Sequence, residues 1–259
     1  MFGKSRPAND QPRGPQGQRA YVVGDIHGRL DLLDRLLDEI HRDIESRPPA
    51  KTLLVFLGDL IDRGPRSSEV VERLRTYRHD GVRTVFLLGN HEEVLLRVLA
   101  GEIEVIPSWL RFGGVQCLNS YGIDPRLYPA TGDPALLAAI RKAVPASHVE
   151  FLKSFVDTCR FGDYLFVHAG VRPGVPLDHQ SQSDLRWIRE PFLLDDSDHG
   201  YVVVHGHTIT RGVDERANRI GIDTGAYRTG KLTALAIEED RRWYLDTAMP
   251  VAAAVSATH

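Results

Sequence analysis

Asp25 and His27 stand two residues apart in "VVGDIHG", between Gly24 and Gly28 and at the end of an apolar run. A carboxylate and an imidazole at that spacing can share a divalent cation, or can simply be the polar residues of a turn. The same pattern recurs along the chain: "TLLVFLGD" stops at Asp59, "TVFLLGN" at Asn90, "YLFVHAG" at His168 and "YVVVHGH" at His207. Each has an ordinary explanation taken singly, because Asp before a turn caps a helix, Asn after Gly makes a turn and a buried His bonds a carbonyl. The coincidence of all these run ends makes a shared site the better account. Asp25, His27, Asp59, Asn90, His168 and His207 offer carboxylate, amide-oxygen and imidazole donors. That set suits borderline divalent ions, manganese (Mn2+) first, with zinc (Zn2+) or iron (Fe) as alternatives, whereas calcium and magnesium favour oxygen alone. So many candidates imply two divalent metal ions.

Such residues need elements to position them. Apolar runs of this length, rich in Val, Leu and Phe and bounded by Gly, read as strands buried on both faces of a sheet. Between them lie helical periodicities: "LDLLDRLLDEIHRDI" places Leu32, Leu33, Leu36, Leu37, Ile40 and Ile44 on one stripe, and "SSEVVERLRTYR" follows Pro65. Strand, helix, strand predicts an α/β fold, in which functional groups gather outside the carboxyl ends of the strands. An extended Asp-x-His is expected to put both side chains on one side of the chain, with the flanking glycines letting the backbone turn beneath a metal. The later segments "RIGID", "LTALAIEE" and "RWYLDT", divided by turns such as "TGAYRTGK", predict an antiparallel last third. The expected whole is a mixed β-sandwich flanked by helices. From Glu93 to Gly162 the text is harder: "PSWLRFGGVQCLNSYGIDPRLYPATGDP" reads as loop, and "PALLAAIRKAV" and "ASHVEFLKSFVDT" read as helices. This 93–162 segment is expected to cap the crevice.

A chain of 259 residues, 42% apolar, can bury one sizeable core. We expect a single domain over 20–247, a flexible leader over 1–19 and a flexible tail over 248–259. With 32 Lys and Arg against 35 Asp and Glu, a net charge of -3 gives no footprint for nucleic acid or for an anionic membrane. The leader has no apolar h-region, and the tail "AMPVAAAVSATH" is too short to span a bilayer. Cys117 and Cys159 lie far apart with no metal or redox spacing, as expected of small core residues in the reducing cytoplasm. Oligomeric state is left open.

In order, "GDIHG", "GDLIDRG", "GNHE", "HAG" and "GHT" resemble the metal-dependent phosphoprotein phosphatase family, calcineurin-like metallophosphoesterases that include the eukaryotic serine/threonine phosphatases and the phage lambda phosphatase. The likeness runs from about Tyr21 to Glu239, and "WIREPF" and "IDTGAYRTGKLT" resemble the shorter bacterial and phage members. The resemblance implies a four-layer αββα fold. It also implies that Asp25, His27 and Asp59 hold a first metal and that Asp59, Asn90, His168 and His207 hold a second, with Asp59 bridging. Two divalent ions, less the charges of Asp25, Asp59 and a bridging hydroxide, leave a formal excess of about one to receive a phosphate ester. Direct attack by that hydroxide needs no side-chain nucleophile, and no nucleophile motif is evident. His91 would be the proton donor and Asp62 its partner, while Arg63 and Arg189 would hold phosphate oxygens.

The implied substrate is a phosphoprotein or phosphopeptide. "LLGNHE" lacks the Arg that precedes "GNHE" in the eukaryotic enzymes, and symmetrical hydrolysis of dinucleoside tetraphosphates on the same scaffold, where the motif usually reads "GNHD", stays open. A non-catalytic metal- or partner-binding module is a third account, which the joint presence of His91, Asp62 and both arginines opposes. Elsewhere, His205 is left outside the set, and Trp109 and Trp187 are expected to pack rather than to stack on substrate. His41, His79, His148, His179 and His199 are expected to be solvated, and Glu92 and Tyr227 to support the ligands from outside.

Overall fold

The computed structural model describes residues 11–128 and 134–248. The start of the expected leader and nearly all of the expected tail lie outside the described residues. Residues 11–17 do not behave as a free leader: Gly14 N–H donates to Glu239 O at 2.7 Å, and Arg13 N–H to an Asp163 carboxylate oxygen at 2.8 Å.

Ten strands form two sheets, here β1 (Gln18–Val23), β2 (Lys51–Phe56), β3 (Val82–Phe86), β4 (Thr158–Phe161), β5 (Tyr164–Val167), β6 (Val202–His205), β7 (Asp214–Glu215), β8 (Arg219–Gly221), β9 (Thr233–Glu238) and β10 (Arg241–Asp246). One sheet runs β10-β9-β1-β2-β3 and the other β4-β5-β6-β8-β7. β1, β2 and β3 are mutually parallel and β9 joins β1 antiparallel. In the second sheet β5, β6 and β8 are parallel, with antiparallel edges β4 and β7. The "RIGID" strand therefore departs from the antiparallel expectation, because β8 lies parallel to β6, while β9 and β10 form the antiparallel hairpin foreseen.

Alternation along each strand builds the layers. Ala20 and Val22 of β1 and Val55 of β2 meet Tyr164 and Phe166 of β5 and Val202 and Val204 of β6 between the sheets. Tyr21 and Val23 face the other way, onto Leu33, Leu36 and Ile40 of α1 (Leu30–Glu45) and Val70 and Leu74 of α2 (Ser67–Arg75). Leu165 and Val167 turn outward onto Leu185 of a short helix at Gln182–Trp187, with Ile188 and Phe192 beside it. The result is two mixed sheets sandwiched together with helices on the outside, as the sequence predicted.

The 93–162 segment is more helical than its Gly and Pro content suggests. It opens inside α3 (Asn90–Ala100), continues through α4 (Ile106–Trp109), a kinked stretch at Leu110–Gly114 and α5 (Val115–Ser120), and then reaches α6 (Pro134–Ala143) and α7 (Ala146–Lys153). Burial of Trp109, Cys117 and Leu118 holds this region helical where propensity alone reads loop. α6 and α7 pack against α3, and α7 also against α2, so they buttress the outer layer. Val94 and Arg97 of α3 and the stretch from Glu104 to Phe112 are the parts that reach the cleft at the strand ends.

Candidate metal centre

Each predicted ligand sits just past a strand end, and the local backbone explains how. His27, Asp59, Asp62, Arg63 and His207 all have positive φ, at 47°, 50°, 70°, 65° and 62°. Such conformations are costly for residues with a Cβ and gather where function over-determines the chain. His27 is left-handed, so the pair does not follow simple extended alternation; the ligand atoms of His27, Asp59 and His91 lie within 4.8 Å of one another, as do those of Asp59, His168 and His207, and Asp25 belongs to neither group. The glycines also have a different use from the one expected: a Cβ on Gly24 would stand 2.7 Å from Ile222 O, and one on Gly28 2.7 Å from Gly64 O. They admit neighbouring backbone rather than a metal.

Asp59 is the hub. Its Oδ2 lies 3.5 Å from His27 Nε2, and its Oδ1 lies 3.4 Å from His168 Nε2, so the carboxylate faces one histidine with each oxygen. Asn90 opens α3, and its Oδ1 lies 3.0 Å from His168 Nε2 and 2.9 Å from His207 Nδ1. His27 Nδ1 is 2.7 Å from Ile61 O and His168 Nδ1 is 2.8 Å from Leu57 O. A carbonyl accepts only from N–H, so each ring carries its proton on Nδ1 and turns an Nε2 lone pair inward. Lone pairs of His168 Nε2 and Asn90 Oδ1 then face each other, an arrangement that a cation between them reconciles. Asp25 Oδ1 and His27 Nε2 are buried with no hydrogen-bond partner, as ligand atoms awaiting a cation are. The donor set fits two borderline divalent ions.

Electrostatics point the same way. Burial holds His27 and His168 below the ordinary histidine range, and burial with His168 nearby takes His207 down to about 3, so these rings are neutral and able to ligate. Burial would raise Asp59, yet its net shift is well downward, through positive charge on the surrounding rings of His168, His91, His27 and His207, of which His91 alone is shifted toward its protonated form. Burial, then Asp223 and Asp59, push Asp25 well up, and burial raises Asp223 to about 6. Three crowded carboxylates are what a cation relieves.

Above the hub sit the predicted proton donor and its partner. His91 Nδ1 lies 2.5 Å from Asp62 Oδ2, both groups fully buried, and its Nε2 contacts Arg63 Nη2 at 3.1 Å. Burial alone would lower His91, but Asp59 and the hydrogen-bonded Asp62 outweigh it and the net shift is upward. Arg63 also lies 4.9 Å over the Tyr227 ring, whose edge meets His27, so Tyr227 braces two site residues. Arg189 is exposed on the rim of the same cleft of about 370 Å³. A larger hollow of about 530 Å³ lies by Arg47 and Trp243 and contains none of the predicted ligands.

Sequence reasoning placed several other residues differently. Trp187 is not packed away: it lines the cleft at 38% exposure, as Phe112 does at 63%. Among the histidines expected to be solvated, His148 is buried, His41 and His79 are half-buried and stacked 4.2 Å apart, and the His199 side chain is 5% exposed. Each found an aromatic or hydroxyl neighbour that sequence distance hid. Glu92, expected to support the ligands from outside, is a keystone: its carboxylate accepts N–H bonds from Asp59, Leu60, Ile61 and Gly89 at 2.8 to 3.2 Å. Burial and Asp59 push it up to about 8, yet four donors aimed at its two oxygens leave no acceptor for a carboxyl proton, and we read it as ionised. Asp223 was missed altogether, although "RIGID" is one more apolar run that ends in a carboxylate beside a glycine turn.

Comparisons with known proteins agree with this geometry. A family model described as calcineurin-like phosphoesterase matches residues 19–233. Over 229 residues the chain is 31% identical to serine/threonine-protein phosphatase 1 of Salmonella typhimurium, covering 85% of this chain and 93% of that one. Over 153 residues it is 35% identical to a symmetrical bis(5'-nucleosyl)-tetraphosphatase of Methylococcus capsulatus, covering 59% of this chain and 43% of the relative. A solved structure provisionally named a diadenosine tetraphosphatase superposes with a TM-score of 0.61 at 22% identity, covering 89% of this chain and 94% of that one, which supports the fold.

Proposed function

The chain belongs to the calcineurin-like phosphoesterase family, and we propose that within it the protein is a two-metal phosphomonoesterase that acts on phosphoserine and phosphothreonine in proteins. The observation that carries this reading is the hub: Asp59 turns one oxygen to His27 and the other to His168, directly beneath the His91–Asp62 pair. Asp25, His27 and Asp59 would hold one cation, and Asp59, Asn90, His168 and His207 the other. When bound, such a pair supplies an activated water and neutralises charge that builds on phosphorus.

The side chains do the rest. Arg63 and Arg189 draw the phosphoryl oxygens in from the rim, each through a planar fork of donors. Arg63 rests on His91 Nε2, a contact that requires Nε2 to be unprotonated, whereas Asp59 and Asp62 favour the protonated ring. An arriving phosphoryl group that takes Arg63 away ends the competition. His91 Nε2 is then free to hold the proton that the leaving oxygen needs, while Asp62 keeps Nδ1–H in place.

Protein substrates are favoured because the phosphatase relative is 31% identical over 93% of its length, whereas an asymmetrical bis(5'-nucleosyl)-tetraphosphatase of Bacillus velezensis matched over 93% of its length is 23% identical and the symmetrical enzyme is matched over 43%. The second reading, a dinucleoside tetraphosphate hydrolase, has a specific support in Trp187 and Phe112, aromatic faces at the cleft on which a base could stack. The test is a metal-depleted preparation re-supplied separately with manganese, zinc or iron and assayed on phosphoserine and phosphothreonine peptides and on diadenosine tetraphosphate. Higher kcat/KM on peptides is expected. A preference for the nucleotide by about two orders of magnitude would transfer the assignment to the second reading.

A further inference from the structure

Asp62 is buried completely, yet few side chains hold it. Its Oδ2 accepts from His91 Nδ1 at 2.5 Å and from Trp109 Nε1 at 2.8 Å, and its Oδ1 has no hydrogen-bond partner among the described residues. Trp109 belongs to the short α4, far along the chain from the strand ends, and is itself 3% exposed. The stretch that follows it docks on the same loop: Arg63 N–H donates to Gly113 O at 3.1 Å, and a Cβ on Gly113 would stand 2.6 Å from Arg63 N. A Cβ on Gly114 would stand 2.6 Å from the Trp109 ring. The segment "WLRFGG" is therefore seated on Asp62 and Arg63 by one indole hydrogen bond, one backbone hydrogen bond and the close approach that Gly113 allows, while Gly114 makes room for the Trp109 ring itself.

We propose that Trp109 is a positioning residue for proton donation: its indole N–H fixes the Asp62 carboxylate, and through it the orientation of the His91 ring toward the leaving oxygen. This rests on the reading of His91 as proton donor. When the phosphorus–oxygen bond breaks, its electron pair goes to the leaving oxygen, which takes the proton from His91 Nε2; Nδ1–H stays on Asp62 throughout. Two donors on one oxygen restrain the carboxylate against turning, and removal of the indole donor leaves that oxygen to the imidazole, with the buried Cys117 thiol nearby. Trp109 lines the cleft, but its N–H bonds to Asp62 and to none of the proposed ligands, so loss of that donor should show most where the leaving oxygen needs a proton.

The leaving group provides the test. Trp109→Phe keeps a ring in the pocket and removes the donor. Phenyl phosphate and p-nitrophenyl phosphate are similar in shape, but phenolate is much the poorer leaving group and depends more on the proton. With the manganese-loaded enzyme, Trp109→Phe should lower kcat on phenyl phosphate about three- to tenfold more than on p-nitrophenyl phosphate, with KM changed less than about twofold. Asp62→Asn combined with Trp109→Phe should be no worse than Asp62→Asn alone, since Trp109 acts through Asp62. Equal losses on the two esters, or additive losses in the double variant, would overturn the proposal. His91→Asn separates the levels: if it too loses equally on both esters, the proton-donor reading itself fails, and if it discriminates while Trp109→Phe does not, only the role of Trp109 fails. Should Trp109→Phe not fold, the three tryptophans can be labelled with nitrogen-15 in otherwise native protein. One indole resonance is expected to move in Asp62→Asn, and three unmoved resonances would end the proposal.

Discussion

Asp59 is the residue on which the proposed chemistry turns, because its two oxygens look toward different histidines. Asp59→Asn keeps the shape and one oxygen acceptor but removes the negative charge that both cation positions would share. Elemental analysis after gel filtration should find about two ions per chain in the native protein and fewer than one in the variant. A variant that retained both would contradict the bridging role. Glu92 tests the support beneath it. Glu92→Gln would turn an amide NH2 toward backbone N–H groups that now meet a carboxylate, and we expect a loss of about 2 kcal/mol in a denaturant titration, since unpaired buried donors cost that much. An unchanged midpoint would mean that the loop finds other acceptors. Residue types at strand ends made the candidate ligands legible in the sequence, since carboxylate, amide and imidazole advertise their chemistry. Asp223 and the indole of Trp109 were not legible as partners, and Glu92 was legible as a support but not in what it supports, because the contacts of Glu92 and Trp109 reach residues 32 and 47 positions away.

At the scale of elements, periodicity revealed what packing uses directly: the Leu stripe of α1 and the apolar strands became core. Pairing direction was hidden, which is why β8 was expected antiparallel; no local signal distinguishes a three-residue strand that joins β6 from one that joins a hairpin. Helicity at 106–120 was hidden too, behind Pro107 and the Gly113–Gly114 pair. α7 is fixed by a relay that crosses three helices: Tyr121 Oη lies 2.9 Å from His148 Nδ1, and His148 Nε2 lies 3.1 Å from Glu72 on α2. Burial lowers the His148 pKa, and Glu72 only partly restores it. Below the unfolded value of about 6.5 the unfolded chain binds the proton more readily, so this contribution to stability is present above that pH and is lost as pH falls through the folded value. Melting curves between pH 7 and 5 should therefore show a steeper decline in Tm for the native protein than for His148→Gln, which cannot titrate. Parallel declines would place the acid sensitivity in other buried histidines.

For the whole molecule, the candidate centre is a seam. Asp25, His27, Asp59 and Asn90 follow strands of one sheet, and His168 and His207 follow strands of the other. Protein contacts already cross there: His168 Nδ1 reaches Leu57 O at 2.8 Å, and His207 N–H donates to Asp25 Oδ2 at 3.0 Å. The apolar layer between the sheets holds them face to face, while the polar seam fixes their register at one end. Cations ligated from both sides would act as staples that exist only in the folded state, so binding should appear as stability. A single site filled at a hundredfold excess over its Kd contributes about 2.7 kcal/mol. For a chain of this size that is a rise of about 5 to 10 °C in Tm. Chelation should reverse the rise, and manganese should restore it. In Asp59→Asn the same titration should move Tm by only a small fraction of that amount, because the carboxylate common to both positions is gone. A native protein whose Tm ignored both chelator and manganese would show that the two sheets are joined by packing and hydrogen bonds alone, and that the ring of histidines and carboxylates binds no ion tightly.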